Sequence, residues 1–107
     1  MNPYVRQIIA EVAAKHGITP GNIMDVSRYR HIVRARHEVF HRLCNERGYS
    51  AERIAAILNR DGSSVRYGIA RHAIAEGVSS RLSIRSYTIR LEMSRNYNAS
   101  HRYEALA

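Results

Sequence analysis

The sequence has little of what would commit it to an oxidising compartment, a bilayer or a catalytic metal. Cys44 is its one cysteine, so no internal disulfide can form. No stretch follows the charged, apolar and small-residue order of a secretory signal, and a cytoplasmic address is the expectation. The longest apolar runs, such as Ile54-Ala55-Ala56-Ile57-Leu58, fall far short of the roughly 20 residues that cross a bilayer. No Gly-x-x-x-x-Gly-Lys-Ser/Thr loop, Ser-His-Asp set or paired-carboxylate constellation is present. The chain is therefore expected to be a non-enzyme that needs no cofactor and meets no membrane.

Acidic residues are scarce: nine face seventeen basic ones, for a formal charge of +8. That balance favours an anionic polymer as partner. Lysine is nearly absent, since sixteen of the seventeen basic residues are arginine. The guanidinium fork suits bidentate recognition of phosphate and guanine, although a genome rich in G and C gives the same bias without selection for binding. A length of 107 residues suits one compact domain and a tail.

Apolar periodicity predicts an all-α fold, a small helical bundle. Val5, Ile8, Ile9, Val12 and Ala13 recur at helical spacing between Asn2 and His16, and Gly17 closes the pattern. Thr19 and Pro20 open one further turn, Ile18 to Met24, before the polar, basic loop Asp25-Val26-Ser27-Arg28-Tyr29-Arg30. A longer helix is expected from about His31 to Arg47, with Ile32, Val33, Val39, Phe40, Leu43 and Cys44 inward and Gly48 at its end. Ser50 caps a short helix to Leu58 whose core side is Ile54, Ile57 and Leu58. Asp61 caps the next, with Val65, Ile69 and Ala73 inward as far as Gly77. Two short helices joined by a turn of about 3 to 4 residues containing Gly have helix-turn-helix dimensions. The domain is thus expected over residues 1–77.

Residues 78–107 change character, with serines between Arg81, Arg85, Arg90, Arg95 and Arg102. Leu82 to Leu91 alternates roughly between apolar and polar, which fits a strand pairing with a copy of itself or with a partner; a disordered basic arm is the other reading.

The order of elements and the residues in several of them resemble the DNA-binding C-terminal domain of the bacterial replication initiator DnaA, a Trp-repressor-like helix-turn-helix. The resemblance covers about Ile8 to Glu76. It rests on Ser27-Arg28-Tyr29-Arg30 in the loop, Val33-Arg34-Ala35-Arg36-His37 as the family's Arg-x-Arg element, Tyr49-Ser50-Ala51-Glu52-Arg53-Ile54 as the capped helix, and Arg60-Asp61-Gly62-Ser63-Ser64-Val65 as the start of the recognition helix. Gly62 stands where the family usually has His, and Ser63-Ser64 where it has Thr-Thr. A Thr methyl touches the methyl of thymine and Ser cannot, so the preferred site should differ from the family's. The resemblance implies a stand-alone, nucleoid-associated binder of double-stranded DNA without the ATPase, a transcription or replication regulator in a bacterium or phage. It would recruit or block the transcription or replication machinery.

Residue roles follow from that geometry. Asp61, Ser63, Ser64 and Arg66 open the recognition helix and are candidates for base contacts, with Tyr67 against the backbone. Asp61 serves equally as a helix cap. The resemblance sends Arg28 into the adjacent minor groove, where a narrow groove concentrates negative potential, with Arg30 beside it on a phosphate or as a second reader. Arg34 and Arg36 are expected as phosphate clamps, one of them with a solvated face as its rival, and Ser50, Arg53 and Arg60 hold phosphates around the two short helices.

Three other readings compete. His37, His41 and Cys44 at i, i+4 and i+7 share a face and with a fourth ligand would suit zinc, although no second His/Cys pair completes the set. Arg66 and His72, separated by five residues, match the short motif of helical ribonucleases of the HEPN type. A non-catalytic interaction module, with a homodimer made by the tail, is the third.

Overall fold

The computed structural model describes residues 1–84 and is all-helical there: α1 (Pro3–His16), α2 (Pro20–Met24), α3 (Arg30–Arg47), α4 (Ala51–Leu58) and α5 (Gly62–Glu76). The segment from Arg85 onward, including most of the alternating stretch expected as a strand or arm and the tail proposed to dimerise, lies outside the described residues. Among the described residues no helix is long and apolar enough to cross a membrane.

Four of the five helices, all but α3, begin at a side-chain cap. The Asn2 side chain accepts from Tyr4 N at 2.8 Å with Pro3 as first helical residue, and Thr19 and Asn22 cap each other reciprocally across the first turn of α2. Ser50 Oγ accepts from Arg53 N at 3.1 Å, and Asp61 Oδ2 from Ser64 N at 3.2 Å. Asn59 ends α4 at φ 53°, a left-handed conformation that Asn tolerates better than most residues, and this compresses the connection to α5 into Asn59-Arg60-Asp61.

α3 is the axis of the fold and touches all four other helices. Val5, Ile8 and Val12 of α1, Ile23 of α2, Val39, Phe40 and Leu43 of α3, Ile54 of α4, and Val65 and Ile69 of α5 are fully enclosed. Val33, expected inward, is only half-buried, because the first turns of α3 border a groove. The α3–α5 contact is the most extensive and is made possible by Gly68. A Cβ there would sit 2.7 Å from His37 Cδ2 and 2.8 Å from Phe40 Cδ2.

Packing continues past Gly77, the expected domain boundary. The Ser79 carbonyl accepts from His41 Nε2 at 2.9 Å and Asn45 Nδ2 at 2.8 Å, while Asn45 Oδ1 accepts from Arg81 N at 3.0 Å. One amide side chain offers both a donor and an acceptor to the returning backbone, and Leu82 packs against the core beyond it.

Candidate nucleic-acid interface

Most arginines of the described residues fall into two groups by what their guanidinium groups touch. In the first, the partner is internal. Arg42 pairs with Glu11 at 2.8 Å and Glu46 at 2.9 Å, and Arg66 pairs with Glu52 of α4. Arg47 lies 3.3 Å over the Tyr4 ring and Arg53 4.0 Å over that of Tyr49. Arg36 donates through Nε to the Ile23 carbonyl at 2.9 Å, Nη1 to Ser27 at 3.2 Å and Nη2 to Asp25 at 2.7 Å. Arg60 Nη2 reaches the carbonyls of Met24 at 2.9 Å, Ile23 and Asp25.

The second group comprises Arg28, Arg30, Arg34 and Arg71, all exposed, none with its side chain in an ion pair or hydrogen bond among the described residues; Arg6 and Arg81 are likewise exposed and unpartnered but stand apart from these four. These four line one groove, together with Val33, His37 and Tyr67. Helical spacing puts them there. Arg30, Arg34 and His37 follow one another at i, i+4 and i+7 on α3, Tyr67 and Arg71 at i and i+4 on α5, and Arg28 sits on the loop just before α3.

The floor of the groove is neutral and its rim is charged. Burial, helped by the nearby charges of Arg36, Arg71 and His72, pushes His37 down to about 4, so its ring is uncharged at pH 7. The Tyr67 ring meets it edge-on with centroids 6.0 Å apart. Arg34 and Arg71 also border an adjoining cleft with His16, His31, Glu38, His72 and Glu76. His72 is lowered as well, by burial first and His41 second, their rings 4.9 Å apart.

Several expected site residues take different positions. Arg36 is a correction: it is buried and its guanidinium is directed at main-chain carbonyls instead of standing open as a phosphate clamp. Arg60 likewise faces inward to the end of α2. Arg66 is turned to Glu52 instead of standing free for guanine. Asp61 and Ser50 act as helix caps, while Ser63, Ser64 and Tyr67 are exposed on the first two turns of α5. Arg30 is the first residue of α3 and not part of the loop. Arg71 is the residue the sequence reading passed over; its signal was the four-residue spacing from Tyr67.

The rival sets are not assembled. Arg66 lies on Glu52 and His72 on His41, six residues along α5 and so about 120° apart around its axis. His41 Nε2 is bonded to Ser79, and Cys44 is buried with its thiol pushed up by desolvation. Among the described residues no three His, Cys, Asp or Glu side chains are grouped to hold a metal ion. No protein-family model matches the chain, and neither the curated proteins nor the solved structures contain a match.

Proposed function

We propose that this chain binds double-stranded DNA, with α4, the Asn59–Asp61 turn and α5 working as a helix-turn-helix. The observation that carries this reading is the convergence of four unpartnered arginines on one groove beside the exposed first turns of α5. A protein with +8 formal charge could scatter its cations over the surface for solubility. Here six arginines of the described residues have internal partners, and of the six without one, four line a single groove while Arg6 and Arg81 do not. In this reading the α5 first turns lie over base edges in the major groove, Ser63 and Ser64 contribute hydroxyls, and Arg28 enters the neighbouring minor groove. Arg30, Arg34 and Arg71 hold phosphates and set the register of the protein on the duplex. The biological role is that of a transcription or replication regulator, as the likeness to the DnaA DNA-binding domain implies.

The test is selection of bound duplexes from a random pool with the full chain at near-physiological salt. The expected result is an enriched motif that changes in the Ser63→Ala/Ser64→Ala variant and weakens with Arg28→Ala. Absence of an enriched motif, or a motif indifferent to all three residues, overturns the reading.

A further inference from the structure

The loop between α2 and α3 carries a second feature beside Arg28. Met24, Val26 and Tyr29 are exposed by 37, 82 and 73 % respectively, three of the six large apolar side chains left open among the described residues. Singly exposed apolar residues are ordinary, but three within six positions form a patch. Val26, Arg28 and Tyr29 share a shallow recess with Ile32, and Arg28 also borders the arginine groove, so the patch and the cationic surface are continuous.

This loop is stiff. Arg36 and Arg60 hold the carbonyls of Ile23, Met24, Asp25 and Ser27, Asp25 Oδ1 accepts from Val26 N at 2.7 Å, and Ser27 Oγ accepts from Tyr29 N at 3.4 Å. The one carboxylate on the loop is thereby bonded to its own main chain and lies near the Arg36 charge. A tethered backbone presenting an apolar tip flanked by arginine suits insertion between base pairs.

We infer that the Asp25–Tyr29 loop is a minor-groove wedge: Val26, with Tyr29 beside it, enters a base step and kinks the duplex while Arg28 occupies the groove. The inference rests on the duplex-binding reading. Unstacking one step opposes insertion, and two gains offset it: burial of the apolar patch, and closer approach of the bent duplex to Arg30, Arg34 and Arg71. A second copy of the chain is a poor occupant of the patch, because a symmetric contact would set Arg28 and Arg30 of both copies together.

The test compares the full chain with its Val26→Ser/Tyr29→Ser variant on a short duplex recovered from the random-pool selection and labelled with donor and acceptor dyes at its ends. Both positions are exposed, and a Ser at the N-cap position of α3 supplies the side-chain cap that Tyr29 lacks, so the fold is retained. The expected result is a bend of roughly 20° or more with the wild-type chain, lost in the variant while binding persists within about tenfold. Binding without a bend, or an equal bend with both proteins, overturns the wedge and leaves duplex binding intact. Failure of the wild-type chain to bind any duplex overturns both.

Discussion

Arg36, from α3, and Arg60, from the turn that precedes α5, converge on the same end of α2. Arg36 donates to the carbonyls of Ile23 at 2.9 Å and Asp25 at 2.7 Å, and Arg60 to that of Met24 at 2.9 Å and again to Asp25. The last carbonyls of a helix have no intrahelical partner, and two cations here satisfy them. Burial first, and the charge of Arg60 second, press the Arg36 guanidinium below its ordinary range. Arginine nonetheless remains protonated at any working pH. The arrangement binds the Arg28 loop and the start of α5 into one unit, so that two elements proposed to enter adjacent grooves keep a fixed separation.

Arg36→Ala should therefore lower stability by about 2–4 kcal/mol, since it removes charged hydrogen bonds and leaves carbonyls unsatisfied next to the core. Arg36→Lys should recover little, because one ammonium cannot span three carbonyls that a planar fork reaches together. Arg34→Ala, on the open rim, should stay within about 0.5 kcal/mol of wild type. Urea unfolding of the three variants checks the contrast; equal losses at Arg34 and Arg36 would remove the distinction between strut and free cation.

Gly68→Ala tests the closeness of α3 and α5. Helix propensity alone favours Ala over Gly by up to about 1 kcal/mol. The new methyl would meet His37 and Phe40 well inside contact distance, and neither ring can swing away without disturbing the core or the groove. A net loss of about 1–3 kcal/mol is expected, with a lower thermal midpoint. A neutral or stabilising result would mean that the helices are not packed at this distance in solution.

Acid should destabilise the fold in a defined window. In the unfolded chain histidine titrates near 6.5, whereas folded His37 is held to about 4, and His72 is lowered in the same direction. Between those two values the unfolded chain takes up protons that the folded chain refuses, so stability is full above pH 6.5 and falls as pH drops towards 4. For His37 the full effect is about 3 kcal/mol. His37→Gln should flatten much of this dependence, measured as thermal midpoint against pH.

Helix boundaries and core were legible in the sequence because each depends on local signals. Ser50, Asp61, Gly48 and Gly77 act as the caps their chemistry suggests, and the α1 pattern of Val5, Ile8, Ile9, Val12 and Ala13 is buried throughout. The division among arginines was not legible, because it is decided by tertiary partners. Arg34 and Arg36 stand two apart in one Arg-x-Arg element, yet on a helix that step turns the side chains about 200° from one another. Arg34 borders the groove, and Arg36 points into the α2 carbonyls. The return of Ser79 and Arg81 to Asn45 was equally hidden, since an Asn that clamps distant backbone carries no periodic signature.

If the groove follows phosphates, each of its arginines contributes to the salt dependence of duplex binding. Removing one phosphate contact should reduce the slope of log K against log salt by about 0.9. Arg30→Ala, Arg34→Ala and Arg71→Ala should each do so. Arg42→Ala and Arg47→Ala, whose guanidinium groups are engaged by Glu11, Glu46 and Tyr4, should change it far less. Filter binding or anisotropy over a salt series gives the slopes, and a uniform small effect at all five positions would argue for diffuse attraction in place of a tracked backbone.

The Glu52–Arg66 pair bears on sequence preference. Arg66 stands in the second turn of α5, where the proposed helix-turn-helix docking would let a free guanidinium reach guanine, but a carboxylate from α4 holds it. An exposed pair of this kind contributes about 0–1 kcal/mol to stability, so Glu52→Gln should leave the fold unchanged while releasing the guanidinium. The duplexes selected by Glu52→Gln should gain a guanine at the position facing Arg66. Adding Arg66→Ala to that variant should remove the gain, whereas Arg66→Ala alone should barely change the wild-type motif. That asymmetry is what distinguishes a carboxylate restraining a base reader from a simple surface ion pair: in the second case Arg66→Ala would have the same effect in either background.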